Sequence, residues 1–214
     1  MNSATQRVLS ALVLLPLLLA LIFWAPDRVF AIVITAAVVI AALELRRMVP
    51  DTAAFVALLV IYVVLPISLL QVIREGYGPG ALMTMIGLIV VSDSAQYYTG
   101  RAFGRRKLAP VISPKKTVEG AIGGAVFGTI AGVAFAHYWV PAIPMAWAAV
   151  MAMLMAIAGM AGDLFESAMK RRVGLKDSGN LIPGHGGILD RIDSWLFAAP
   201  VFWVFLKLFA QAGR

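Results

Sequence analysis

The chain has 214 residues, 61% of them hydrophobic and only 14% charged, and it contains no cysteine. That balance excludes an ordinary soluble domain, which is about half apolar and about a quarter charged. The absence of thiols excludes disulfides, thiolate metal sites and cysteine nucleophiles. The formal net charge of +7 does not point to nucleic acid as a partner, because where the charges sit matters more than their sum.

Apolar runs of roughly 18 or more residues span a bilayer. Seven such segments can be read, at about residues 8–24, 29–46, 53–73, 80–99, 118–137, 143–164 and 193–210. The first follows Arg7 and resembles a signal peptide, but Trp24-Ala-Pro-Asp27 is a poor cleavage site, so it reads as a retained anchor. The second and third are weakly separated near Pro50. With the N-terminus placed inside, only Arg28, Arg74, Lys207 and Arg214 fall outside, and the other 14 of the 18 basic residues fall inside. The positive-inside rule then favours seven spans with the C-terminus outside. The fold expected is an all-α, polytopic transmembrane helical bundle of about seven spans. Residues 1–79 form its N-terminal membrane helices, and residues 80–214 a catalytic membrane domain with cytoplasmic basic loops.

Those loops, about 100–117 and 165–192, fall on one membrane face. In the first, Ser113 and Pro114 read as the N-cap and first residue of a helix, which puts Lys115 and Lys116 in a first turn whose dipole opposes them. A bound phosphate would explain that placement, and so would attraction to anionic lipid headgroups. The fifth segment follows, with Gly120, Gly124, Gly128 and Gly132 spaced four apart, a smooth stripe for close helix packing. His137 lies at its outer end.

Six of the 11 acidic residues, Asp93, Glu119, Asp163, Glu166, Asp190 and Asp193, lie in or at the ends of the last four segments. A carboxylate at mid-membrane costs roughly 2.5–3.5 kcal/mol on insertion scales, so each marks either a function or a salt bridge. Asp163, Glu166, Ser167 and Lys170 fall on one helical face as the sixth segment leaves the membrane. A glycine-rich loop with Gly174, Gly179, Gly184, Gly186 and Gly187 follows, and such backbone can approach phosphate closely. Asp190 and Asp193 then open the last segment, where the helix dipole favours acids. Hard oxygen ligands from two chain positions, with basic side chains beside them, suit Mg²⁺ and a triphosphate. His185 sits among the loop glycines and reads as a substrate contact.

Residues 167–193 fit the pattern S-x-x-K-R-x4-K-D-x-x-x-x-x-P-G-H-G-G-x-x-D-R-x-D at every fixed position. This resembles the signature of the phosphatidate cytidylyltransferase (CDP-diacylglycerol synthase) family. Asp93-Ser94, Gly100-Arg101, Gly104, Lys107-Leu-Ala-Pro110, Ser113-Pro-Lys-Lys-Thr117 and Glu119-Gly120 extend the likeness over about residues 80–210, and Glu44 stands at a plausible family position. The resemblance implies a nucleotidyltransferase of phospholipid synthesis that joins CMP from CTP to phosphatidic acid and releases pyrophosphate. It implies a multi-pass enzyme of the inner (plasma) membrane with its site facing the cytoplasm, a homodimer in contact with the lipid bilayer. It also implies dependence on Mg²⁺, with K⁺ as a candidate beside it.

Under that resemblance Asp163, Asp190, Lys170 and Arg171 are catalytic, and Asp163, Asp190 and Asp193 hold the metal. Ser113, Lys115, Lys116, Ser167, Lys176, His185 and Arg191 bind substrate, with Asp93 and Asp177 in support. Two readings stay open beside it. One is another CTP-using lipid enzyme on the same scaffold, a polyprenol kinase or a maker of CDP-archaeol. The other is a transporter, although the internal repeats common in transporters are not found and the acids cluster toward one face.

Overall fold

The computed structural model describes residues 3–181 and 186–210. Every apolar segment forms a helix: α1 (Ser3–Phe23), α2 (Asp27–Met48), α3 (Thr52–Tyr77), α4 (Pro79–Phe103), α5 (Val118–Trp139), α6 (Met145–Arg172) and α7 (Leu189–Ala210). Between α4 and α5 stands an antiparallel hairpin of β1 (Lys107–Ala109) and β2 (Ser113–Thr117). The α2–α3 junction at Pro50 is a true break. Asp51 caps α3 by accepting the Ala54 N–H at 2.7 Å, and Arg46 donates to the carbonyls of Val49 and Pro50.

Five helices, α2, α3, α5, α6 and α7, are long and apolar enough to cross a membrane. The described side chains of α1 form a shorter apolar stretch, Leu12–Phe23. The 25-residue α4 is more polar because Asp93, Gln96 and Arg101 occupy its second half. The chain is thus an all-α, multi-pass membrane bundle. Its outward faces are apolar, with Ile32, Val39, Leu43, Ile61, Ile130 and Ile157 all exposed, as expected where lipid replaces water as the neighbour.

The glycine stripe brings two helices together. Gly120, Gly124, Gly128 and Gly132 are all buried. A Cβ on Gly120 would lie 2.7 Å from the Gln96 carbonyl oxygen, and one on Gly124 would lie 3.0 Å from that of Ser92. Without side chains on this face α5 lies almost backbone to backbone on α4, as small-residue stripes allow in membranes.

Two apolar clusters flank the centre. One gathers Met85, Leu88, Met151, Met155 and Phe202 from α4, α6 and α7, and the other joins Leu45, Tyr62, Ile67 and Leu196 from α2, α3 and α7. At the end of the bundle away from the hairpin, Trp139 packs on Phe23 and Phe135, and Trp147 on Phe209. Arg74 is buried there, donating to the Ile22 and Ala25 carbonyls and pairing with Asp27. Aromatic rings and an interfacial arginine suit a membrane–water boundary.

One sequence expectation is overturned. Ser113 does not cap a helix and Pro114 does not open one. Residues 113–117 are extended in β2, and α5 starts at Val118. The cap is Thr117, whose Oγ1 accepts the Gly120 N–H at 3.1 Å. The cause is a partner distant in sequence: Thr117 pairs with Lys107 and Ser113 with Ala109. Pro114 tolerates extended backbone as well as a helix start, and leaving the helix frees both lysines from the unfavourable dipole.

Candidate active site

Where α4, β2, α6 and the start of α7 meet, a cavity of about 690 Å³ opens. Its polarity follows from local structure. Along α4, Asp93, Gln96, Tyr97, Gly100 and Arg101 share one helical face and all line it. In β2, Lys116 is half-buried and Lys115 stands exposed at the rim, and both line the cavity. From α6 come Asp163 and Lys170, and from α7 come Asp190, Arg191, Asp193 and Ser194. The two basic loops, far apart in sequence, therefore converge on one site.

Two charge clusters organise the cavity. In the first, Lys116 Nζ pairs with Asp163 Oδ2, while Ser167 Oγ donates to Asp163 Oδ1 at 3.3 Å. Asp163 keeps 31% of its side chain exposed toward the cavity. In the second, Lys170 Nζ lies 2.5 Å from both Glu166 Oε2 and Asp190 Oδ1. Glu166 is completely buried and Asp190 is 5% exposed. Buried ions survive only when paired and hydrogen-bonded, and this lysine serves two of them. Asp190 Oδ2 accepts from the backbone N–H of Gly187 at 2.8 Å and of Ser178 at 2.8 Å, and from Ser178 Oγ at 2.9 Å. Both Asp190 oxygens are thus occupied by the protein itself.

The loop leaving α6 is shaped by its ends. Leu175 N–H donates to the Lys170 carbonyl and Gly174 N–H to that of Arg171, with Gly174 at φ +72°. This is the Schellman arrangement that ends a helix. It positions Lys170 within the last turn, facing the acids.

The sequence candidates divide accordingly. Asp163, Lys170, Asp190, Asp193, Lys115, Lys116 and Arg191 line the cavity, as do the supporting Asp93 and Asp177. Ser167 stands behind Asp163. Arg171 points elsewhere and donates to the Leu175 carbonyl at 2.7 Å. Lys176 is exposed and Ser113 begins β2; neither lines the cavity. His185 lies outside the described residues. Glu119 forms the salt bridge considered for it, holding Arg106 Nε at 3.3 Å and the backbone N–H groups of Arg105 and Arg106.

Sequence reasoning missed Gln96 and Tyr97 and gave Gly100 and Arg101 no place in the site, although all four follow Asp93 at helical spacing. It also gave Glu44 no role. That residue, in α2, is buried against Ser178, Ile188 and Leu189. The available signal was an acid inside an apolar run.

Asp93, Asp163 and Asp193 give hard oxygens to the cavity, the donor type that suits Mg²⁺. Among the described residues no group of three or more His, Asp or Glu side chains stands ready as a cation cage. Of the described lining residues, Asp93, Asp163, Asp177, Asp190 and Asp193 are balanced by Arg101, Lys115, Lys116, Lys170 and Arg191. A charge-neutral lining leaves the charge of a triphosphate uncompensated, so the chemistry of the donors fits an added cation.

Comparisons with known proteins identify the family of the chain. The cytidylyltransferase family matches residues 50–209. Phosphatidate cytidylyltransferase of Bacillus subtilis is 40% identical over 162 residues, covering 75% of this chain and 60% of that protein. The Brucella suis protein of the same name is 43% identical over 138 residues, 64% of this chain and 50% of the relative. That of Thermotoga maritima is 35% identical over 212 residues, 95% of this chain and 78% of the relative. The chain thus spans only half to three fifths of the length of the first two. The family match contains every described residue that lines the cavity, and on these grounds the chain belongs to the cytidylyltransferase family.

Proposed function

We propose that the protein transfers CMP from CTP to phosphatidic acid, giving CDP-diacylglycerol and pyrophosphate. The observation that carries this is the convergence of Lys116, Asp163, Lys170 and Asp190 on one polar cavity within a membrane bundle. A water-soluble triphosphate and a lipid phosphate can meet only where a charged cavity borders the bilayer. The lipid phosphate is already anionic, so attack on the α-phosphorus needs no general base. What remains is positioning and charge neutralisation, the main work in transfer at phosphorus.

Lys115, Arg101 and Arg191 hold phosphate oxygens at the rim, Lys116 meets them further in beside Asp163, and Lys170 holds Asp190 in place. Mg²⁺ would be held by Asp163 and Asp193, and by Asp190 on release from Lys170. The chemistry such an ion supplies is neutralisation of the triphosphate and of departing pyrophosphate. The site faces the cytoplasm, where CTP is found, because both basic loops border it.

The test is transfer of label from CTP into lipid by the purified protein with phosphatidic acid. Label from α-³²P-CTP should enter lipid, require Mg²⁺ and vanish with a chelator. Entry of γ-³²P label would replace this reading with a lipid kinase. Entry of neither, under any divalent cation, would overturn CTP chemistry altogether.

A further inference from the structure

We propose that Glu44 is a positioning residue for this site, a buried latch from α2 that ties Ser178 to the start of α7 and so aims Asp190. The inference rests on the functional reading above for its kinetic part alone. Glu44 precedes the residues matched by the family, and it reaches the cavity lining only through Ser178 and the start of α7.

The geometry is that of a carboxylate with no cation. Glu44 is 4% exposed and, among the described residues, forms no ion pair. Its partners come from 134 to 145 residues away. Oε1 accepts the Ile188 N–H at 3.0 Å, and Oε2 accepts the Leu189 N–H at 2.9 Å and Ser178 Oγ at 2.9 Å. Those two amides open α7 and have no carbonyl of their own helix to meet. A negative charge at that point also meets the positive end of the helix dipole. Glu44 therefore caps α7 in place of a local side chain.

The glycines around it are fitted to this purpose. A Cβ on Gly179 would lie 2.5 Å from Glu44 Oε1, and one on Gly187 would lie 2.4 Å from it. Both residues must lack a side chain for the chain on either side to pack against the carboxylate. The contact then passes on to the site. Ser178 Oγ lies 2.9 Å from Glu44 Oε2 and 2.9 Å from Asp190 Oδ2. One hydroxyl proton stands between two carboxylates, with Lys170 on the far side of Asp190. Loss of the Glu44 acceptors would release Ser178 and the start of α7 and leave Asp190 without its backbone donors.

Glu44→Gln tests this at constant volume. In either orientation the amide nitrogen faces an N–H group, Ile188 one way and Leu189 the other, so one bond becomes a clash of donors. In the full-length protein, hydrogen exchange over residues 178–190 should quicken at least tenfold, with α2 unchanged elsewhere. With CTP and phosphatidic acid, KM for CTP should rise at least fivefold while KM for the lipid stays within twofold. Ser178→Ala gives a milder variant with the same sign if Glu44→Gln folds poorly. The double variant should be no worse than the poorer single, since both break one network.

Unchanged exchange at Ile188 and Leu189 would overturn the latch. Faster exchange with both KM values and kcat unchanged would make it a structural cap and overturn the positioning role. A wild-type protein that transfers no label would remove the functional reading and the positioning role together, while exchange still decides the latch.

Discussion

Lys170 and Asp163 stand in the same cavity but carry different burdens. Lys170 is the shared counter-ion of Glu166 and Asp190, both nearly or wholly buried. Removing one partner of a buried pair costs about 3–5 kcal/mol, because the remaining charge is left uncompensated. Lys170→Met keeps the length of the side chain and loses the ammonium, so the purified protein should unfold at a clearly lower temperature. An unchanged unfolding temperature would mean that the acids do not depend on this lysine. Asp163 is 31% exposed and meets a single cation, a geometry worth at most about 1 kcal/mol. Asp163→Asn should therefore leave unfolding almost untouched. Transfer of α-label into lipid should nevertheless fall about 100-fold or more, the scale of losing a group that stabilises transition-state charge. Equal transfer by the variant would remove Asp163 from the chemistry.

At the scale of elements, the helices were legible in the sequence and the contacts between chain-distant segments were not. Long apolar runs fix a helix locally, because lipid offers no other partner for the backbone, and all seven appeared near their expected places. The start of α5 was misread because β2 depends on pairing with Lys107–Ala109, which no local propensity reports. Asp163, Lys170 and Asp190 were found through their helical spacing and motif. Glu44 was passed over because its donors lie more than a hundred residues away. The glycine stripe was read correctly as packing, and that reading can be tested. Gly120→Ala would push a Cβ to 2.7 Å from a backbone oxygen, which cannot rotate away. Overpacking of this kind costs about 1–3 kcal/mol, seen as a lower unfolding temperature. A Cβ on Gly76 in α3 would have no heavy atom within 4 Å beyond its own helix backbone and chain neighbours, so Gly76→Ala should be neutral or stabilising by up to about 1 kcal/mol. Equal behaviour of the two variants would show that α4 and α5 do not lie this close.

For the whole molecule, the question is which end of the bundle faces the cytoplasm. Charge bears on it, because the basic residues gather toward one end. Residues 101–117 and 170–191, at the cavity end, carry 11 of the 18 basic residues, whereas Trp24, Trp139 and Trp147 gather at the other end with Arg74. Retention of Lys and Arg on the cytoplasmic side is the dominant determinant of orientation, so the cavity end should be inside. The chain has no cysteine, so single cysteines can report sides without background. Val111 at the hairpin tip is 87% exposed and Leu181 in the second loop 55%, while Trp24 and Tyr138 at the far end are each 77% exposed. In intact cells a membrane-impermeant maleimide should label Trp24→Cys and Tyr138→Cys and spare Val111→Cys and Leu181→Cys. Inside-out vesicles should reverse the pattern. Labelling of Val111→Cys and Leu181→Cys in intact cells would put the cavity on the side without CTP and contradict the proposed reaction. Labelling of positions 111 and 181 from opposite sides would instead contradict the convergence of the two loops on one cavity, and the bundle itself would have to be redrawn.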